Sequence, residues 1–149
     1  NRRLKITVII ICYRYNVNKE LEKLMSITEQ KIQDICRLDA EKRLNYLVKQ
    51  VNELQQIWIL TDEHGAVMMT TDEEDCIPVW PHEEVAMLWA TGEWQGFEPK
   101  AISLNEWNNK WTQGLEQDEL SIVVFPLPED TGAIMYPDEF EFELKSKKQ

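Results

Sequence analysis

The chain has 149 residues, 43% of them hydrophobic, six tryptophans and a formal net charge of −11. That length can bury one ordinary core, and the apolar content excludes a disordered tail. The acidity sets the surface against nucleic acid and anionic membrane; it reads first as an ordinary solvated acidic surface and second as complementarity to a basic partner.

Residues 1–24 run against the rest, with a net charge of +4, so the remainder carries −15. Arg2, Arg3 and Lys5 precede the apolar run Ile6 to Tyr13, as at the start of a signal peptide. The run has no small-residue cleavage site, is followed by Arg14 and is too short to span a bilayer as a helix. It reads equally as a Val/Ile-rich β-strand, or as an over-read stretch ahead of a true start at Met25. The domain organisation expected is therefore an N-terminal extension over 1–24 and a single α+β domain over 25–149.

Ser26-Ile27-Thr28-Glu29 has the form of a capping box, and a short helix carrying Ile32, Ile35 and Cys36 should follow. Asp39 offers a second N-cap. Leu44, Leu47, Val48, Val51 and Leu54 then fall on one stripe, predicting an amphipathic helix over 40–54. Gln56 to Leu60 is a strand by its β-branched and aromatic content. Asp62-Glu63-His64-Gly65 is a turn, and Ala66 to Thr70 returns as one strand of a hairpin. Ile77 to Trp80 predicts a third strand, confined by Pro78 to an edge or bulge.

Pro81 suits the first turn of a helix whose acids Glu83 and Glu84 lie at its positive end, with Val85, Leu88 and Trp89 facing inward. Pro99 to Ile102 reads as a strand. Ser103 and Glu106 make another capping box, and Leu104, Trp107, Trp111 and Leu115 give the next helix its stripe, with Gly114 ending it. Leu120 to Phe125 is the strand with the strongest claim to a central place. Glu129 to Gly132 is a turn, Ala133 to Tyr136 a further strand, and Pro137 to Leu144 an acidic segment, helix or strand. The fold class expected is α+β, with a mostly antiparallel sheet of about five strands and helices on one face.

Ile57 to Gly65, Pro78-Val79-Trp80-Pro81-His82-Glu83-Glu84-Val85-Ala86, Gly96-Phe97-Glu98-Pro99, Ile102-Ser103, Glu106, Trp111, Gly114-Leu115, Asp118 and Pro137-Asp138-Glu139 together resemble the small bacterial proteins grouped as domain of unknown function 2750. The resemblance runs from about Arg43 to about Leu144. Pro81-His82 stands here where some members have a Ser-rich form. The resemblance implies no activity.

The chemistry-bearing residues are few. His82 with Glu83 and Glu84 is the candidate catalytic group, for a metal or a proton transfer. Neighbouring residues on a helix diverge, however, and the second histidine of a zinc helix is missing. Asp62, Glu63, His64, Asp72, Glu73, Glu74 and Asp75 are the candidate partner-binding residues. They form no calcium loop, and acidic turns of this kind are usually only solvated. Cys12, Cys36 and Cys76 are spaced for neither zinc nor a disulfide framework, which points to the cytoplasm, with Cys36 and Cys76 as small buried hydrophobes. No nucleophile motif or phosphate loop is present, and no cofactor or metal is expected. Helical spacing makes Trp107 and Trp111 core residues before it makes them base-stacking ones. Two functions stay in play: a non-enzymatic inhibitor- or immunity-like interaction domain, and a small metal-dependent hydrolase using His82 and nearby carboxylates.

Overall fold

The computed structural model describes residues 28–71, 73–90 and 95–147. The strand, signal-like and over-read readings of residues 1–24 lie outside them, as do the Ser26 cap and Asp72. The described residues from 34 onward form one compact unit. Of the unit before it only 28–33 is described, and there helix α1 (Glu29–Cys36) begins. Thr28 caps it, its hydroxyl accepting the Lys31 amide at 3.2 Å.

Helix α2 (Ala40–Leu54) starts where predicted, with Asp39 accepting the Lys42 amide at 2.9 Å. Its apolar stripe buries Leu47, Val48 and Val51 completely, but Leu54 is exposed. The stripe turns at its other end onto Arg43, which is only 2% exposed. The chain then enters strand β1 (Gln56–Asp62), which turns at Gly65, whose φ is +126°.

The expected return strand is two short strands, β2 (Gly65–Ala66) and β3 (Met69–Thr70), in different sheets. Val67 and Met68 separate them; the Val67 side chain is buried and its amide bonds the Leu60 carbonyl at 2.9 Å. Strand β4 (Asp75–Val79) follows, then helix α3 (Glu83–Trp89) and strand β5 (Glu98–Ser103). One helical run comprises α4 (Leu104–Glu106), a π-helical turn (Trp107–Trp111) and α5 (Thr112–Gln117). Strands β6 (Ser121–Val124) and β7 (Ala133–Met135) and helix α6 (Pro137–Ser146) complete the order.

The α+β class holds, but the single sheet of about five strands does not. Among the described residues seven strands form two sheets, β2-β1-β5 and β3-β4-β6-β7. The first is antiparallel, whereas β4 and β6 pair in parallel, Ile77 opposite Ile122 and Val79 opposite Val124. Parallel neighbours need a long crossover, and α3, β5 and the helical run lie between β4 and β6 in the chain. Trp80, just past β4, joins the sheets: its backbone exchanges bonds of 2.9 and 3.0 Å with Trp58 of β1. Its indole N–H donates to the Pro126 carbonyl at 3.0 Å, and the side chain is fully buried.

Pro78 sits inside this arrangement rather than at an edge of the sheet. The pairing with β3 reaches only Asp75 and Cys76, so the missing Pro78 amide deprives no β3 partner. Strand β6 is central as expected, all four residues buried between β4 and β7. Helix α2 packs on β1, β6, β7 and α6, so its buried stripe serves both sheets.

Two further expectations change. Leu88 is exposed, so α3 faces the core through Val85 and Ala86. Gly114 lies within α5, and the reversal comes later, at Glu119 (φ +57°), where the Leu120 amide bonds the Leu115 carbonyl at 2.9 Å. That back-bond satisfies a helix-end carbonyl without glycine.

Arg43 is the polar centre of the core. Its guanidinium donates to the carbonyls of Phe125 at 3.1 Å and Leu38 at 2.8 Å, and to the Asp130 carboxylate at 2.8 Å. It also lies over the Phe125 ring, 5.9 Å from the centroid. Phe125 has φ +50°, outside the range a bulky residue prefers. Gly132 closes the loop at φ +82°, where a Cβ would come within 2.6 Å of the Val124 carbonyl oxygen. The Arg43 bond holds the exposed Asp130 carboxyl below its ordinary range, helped by the Gly132 amide.

Candidate functional site

His82 is the N-cap residue of α3, but its side chain caps nothing there. It turns instead to α2, where Nε2 shares a 2.7 Å hydrogen bond with the Tyr46 hydroxyl, the rings tilted at 57°. Burial, with Glu53 nearby, pushes the Tyr46 hydroxyl above its ordinary pKa, so the phenol keeps its proton at neutral pH. Glu83 is exposed and Glu84 half-buried in the first turn of α3, where the helix dipole favours acids. Pro81 precedes the cap rather than standing in that turn.

Among the described residues no group of three His, Cys, Asp or Glu side chains is placed to hold a metal ion. The His82–Tyr46 pair ties two helices together at a half-buried position. His82→Gln should change the unfolding free energy by under about 1 kcal/mol, since a polar side chain there keeps a bonding group for the phenol. Urea titration checks this, and a loss of several kcal/mol would make the pair a structural keystone.

The candidate partner-binding residues part company. Asp62, Glu63 and His64 form the exposed β1–β2 tip, where the Asp62 carboxylate accepts the His64 amide at 2.7 Å. Asp62 and Phe97 line two open hollows there, of about 560 and 510 Å³. Glu73 and Asp75 are exposed beside the Thr71 turn.

Glu74 goes elsewhere. The Thr71 hydroxyl receives its amide at 3.0 Å and donates back to its carbonyl at 2.9 Å, which aims the side chain across the sheet. There the Glu74 carboxylate accepts the hydroxyl of Ser121, a buried residue of β6. This contact lies in a hollow of about 400 Å³ lined by Glu74, Glu116, Glu119, Leu120, Ser121, Tyr136, Pro137 and Asp138. Four acidic residues thus line it, from the approach to β4, the end of α5 and the start of α6. None of the eight lining residues is basic, and Tyr136 is 63% exposed.

Sequence reasoning marked Glu74 but missed Glu116, Glu119, Tyr136 and Asp138. The acidic run at Glu116, Asp118 and Glu119 was the available signal; nothing local tied it to Glu74, some forty residues earlier. Cys76 is fully buried beside this region, and its thiol is pushed up to about 11 by burial and by Glu74 and Asp75. Such a thiol is inert at neutral pH. Cys36 is half-buried, and both cysteines are free. No described helix is long and apolar enough to cross a membrane.

The sequence matches, over residues 44–144, the model of the family described as protein of unknown function (DUF2750). No curated protein and no solved structure matches it.

Proposed function

The chain belongs to the DUF2750 family, and from that premise we propose that it is a non-catalytic protein-interaction domain, of the inhibitor or immunity kind, that binds a basic protein in the cytoplasm. The observation that carries this reading is the hollow around Ser121, with four carboxylates and no basic residue in its lining. Gathering like charge at one place raises the local negative potential and draws in a cationic surface, which speeds association and disfavours wrong partners. The exposed Tyr136 beside the carboxylates adds an aromatic of the kind that anchors interfaces. The two free thiols suit a reducing compartment.

Capture from the source cell tests the reading, with the natural chain and a Glu116→Gln/Glu119→Gln variant as paired baits. The expected result is a basic protein held by the natural chain, released by salt and retained less well by the variant. Recovery of no basic protein, or stoichiometric metal in the purified chain with a hydrolytic activity lost in His82→Gln, would favour the metal-enzyme alternative.

A further inference from the structure

The acidic hollow shares Leu120 with a second hollow of about 310 Å³, whose walls include Ile77, Trp111, Leu115 and Leu120. This neighbour is apolar, with Lys110 and Asp118 as its charged members. Trp111 is half-buried, and its ring lies flat on the fully buried Trp107, centroids 5.4 Å apart and planes 5° apart. A ring backed in this way is fixed before anything binds, so little side-chain freedom is lost on contact.

Gly114 forms part of the same wall. It lies within α5, where glycine weakens the helix relative to alanine. No turn or positive φ requires it, and a Cβ added there would have nothing within 4 Å. Packing inside the protein therefore does not explain the glycine. It lies in the wall of the hollow that Trp111 also lines, and a Cβ there would meet only open space.

We infer that these two hollows are one docking groove for a basic polypeptide segment, an apolar side chain of the partner seated on Trp111 over Gly114 and an adjacent Lys or Arg placed among Glu74, Glu116, Glu119 and Asp138. The inference rests on the interaction reading above and adds where the partner binds and what it must carry. Charge complementarity selects the occupant. The C-terminal end of α5 adds its partial negative charge to carboxylates that Lys110 alone offsets within the two linings. A purely apolar partner would leave those carboxylates unused. A purely basic one would leave Trp111 uncovered.

Two synthetic probes of equal charge test this: a peptide of alternating Leu and Arg, and an oligo-arginine. Fluorescence anisotropy gives the affinity, and amide chemical shifts locate the contact. The natural chain should prefer the Leu–Arg peptide by about tenfold or more, the effect of one well-seated apolar anchor. Gly114→Gln should fill the groove and abolish that preference while its Tm stays at or above that of the natural chain. Equal binding of the Leu–Arg peptide by Gly114→Gln overturns the groove, as do shifts that map to Asp62 and Phe97 at the hairpin tip. In either case the interaction reading survives, because a basic peptide still binds. Failure of both peptides to bind also overturns the groove, and the paired capture then decides the broader reading separately.

Discussion

Arg43→Ala should lower the unfolding free energy by about 3–5 kcal/mol, because it leaves buried carbonyls without a donor and opens a cavity in the core. The substitution strips the Phe125 and Leu38 carbonyls of their donor and leaves a void under the Phe125 ring. Arg43→Lys should recover less than half of the loss. An ammonium on a flexible stem cannot reproduce a planar fork that reaches Phe125, Leu38 and Asp130 together. Urea denaturation at constant m measures both variants. A loss under about 1 kcal/mol for Arg43→Ala would show that the core closes over the site without its charge. The Asp130 arm has its own pH signature. Its carboxyl is held low in the folded state, so its contribution is present above the ordinary carboxylate range and fades as pH falls through the lowered folded value. Asp130→Asn should therefore differ from the natural chain at neutral pH and converge with it in acid.

Trp107→Ala should cost about 3–5 kcal/mol, as expected when a large ring leaves a packed site. Trp107 is fully buried, stacked on Trp111 and edge-on to Phe140 at 5.9 Å. Its indole N–H has no hydrogen-bond partner among the described residues, so Trp107→Phe loses volume but no bond and should cost clearly less. Trp111 shares the stack but is half-buried, so Trp111→Ala should fall well below Trp107→Ala. Equal losses for the two alanine variants would place both rings in the core and remove Trp111 from the proposed groove. Thermal unfolding of the three variants separates these outcomes.

The helices before α6 were legible in the sequence because their signals are local, whereas Pro137 to Leu144 read as helix or strand and only the structure made it a helix. Asp39 and Ser103 cap where expected, with bonds of 2.9 and 3.1 Å to the Lys42 and Glu106 amides. The stripe through Leu47, Val48 and Val51 is buried as its period requires. The helical run also holds a distortion that the stripe did not reveal. Trp107 to Trp111 form a π-turn in which the Thr112 amide bonds back to the Trp107 carbonyl, five residues earlier.

By itself, then, the sequence determined that this is an acidic α+β protein, where most of its elements lie and that β6 is buried. Those properties follow from composition and from periods of two and 3.6 residues, which any short window displays. The tertiary structure alone decided the rest. It split the strands into two sheets, placed Pro78 beside the reach of β3, and sent Arg43 into the core to meet Phe125 and Asp130, 82 and 87 residues away. It likewise brought Glu74 to Ser121, Glu116, Glu119 and Asp138. A polar side chain is buried only where distant partners satisfy it, and an acid joins a cluster only when the chain folds back. Neither condition leaves a mark on the residues beside it in sequence.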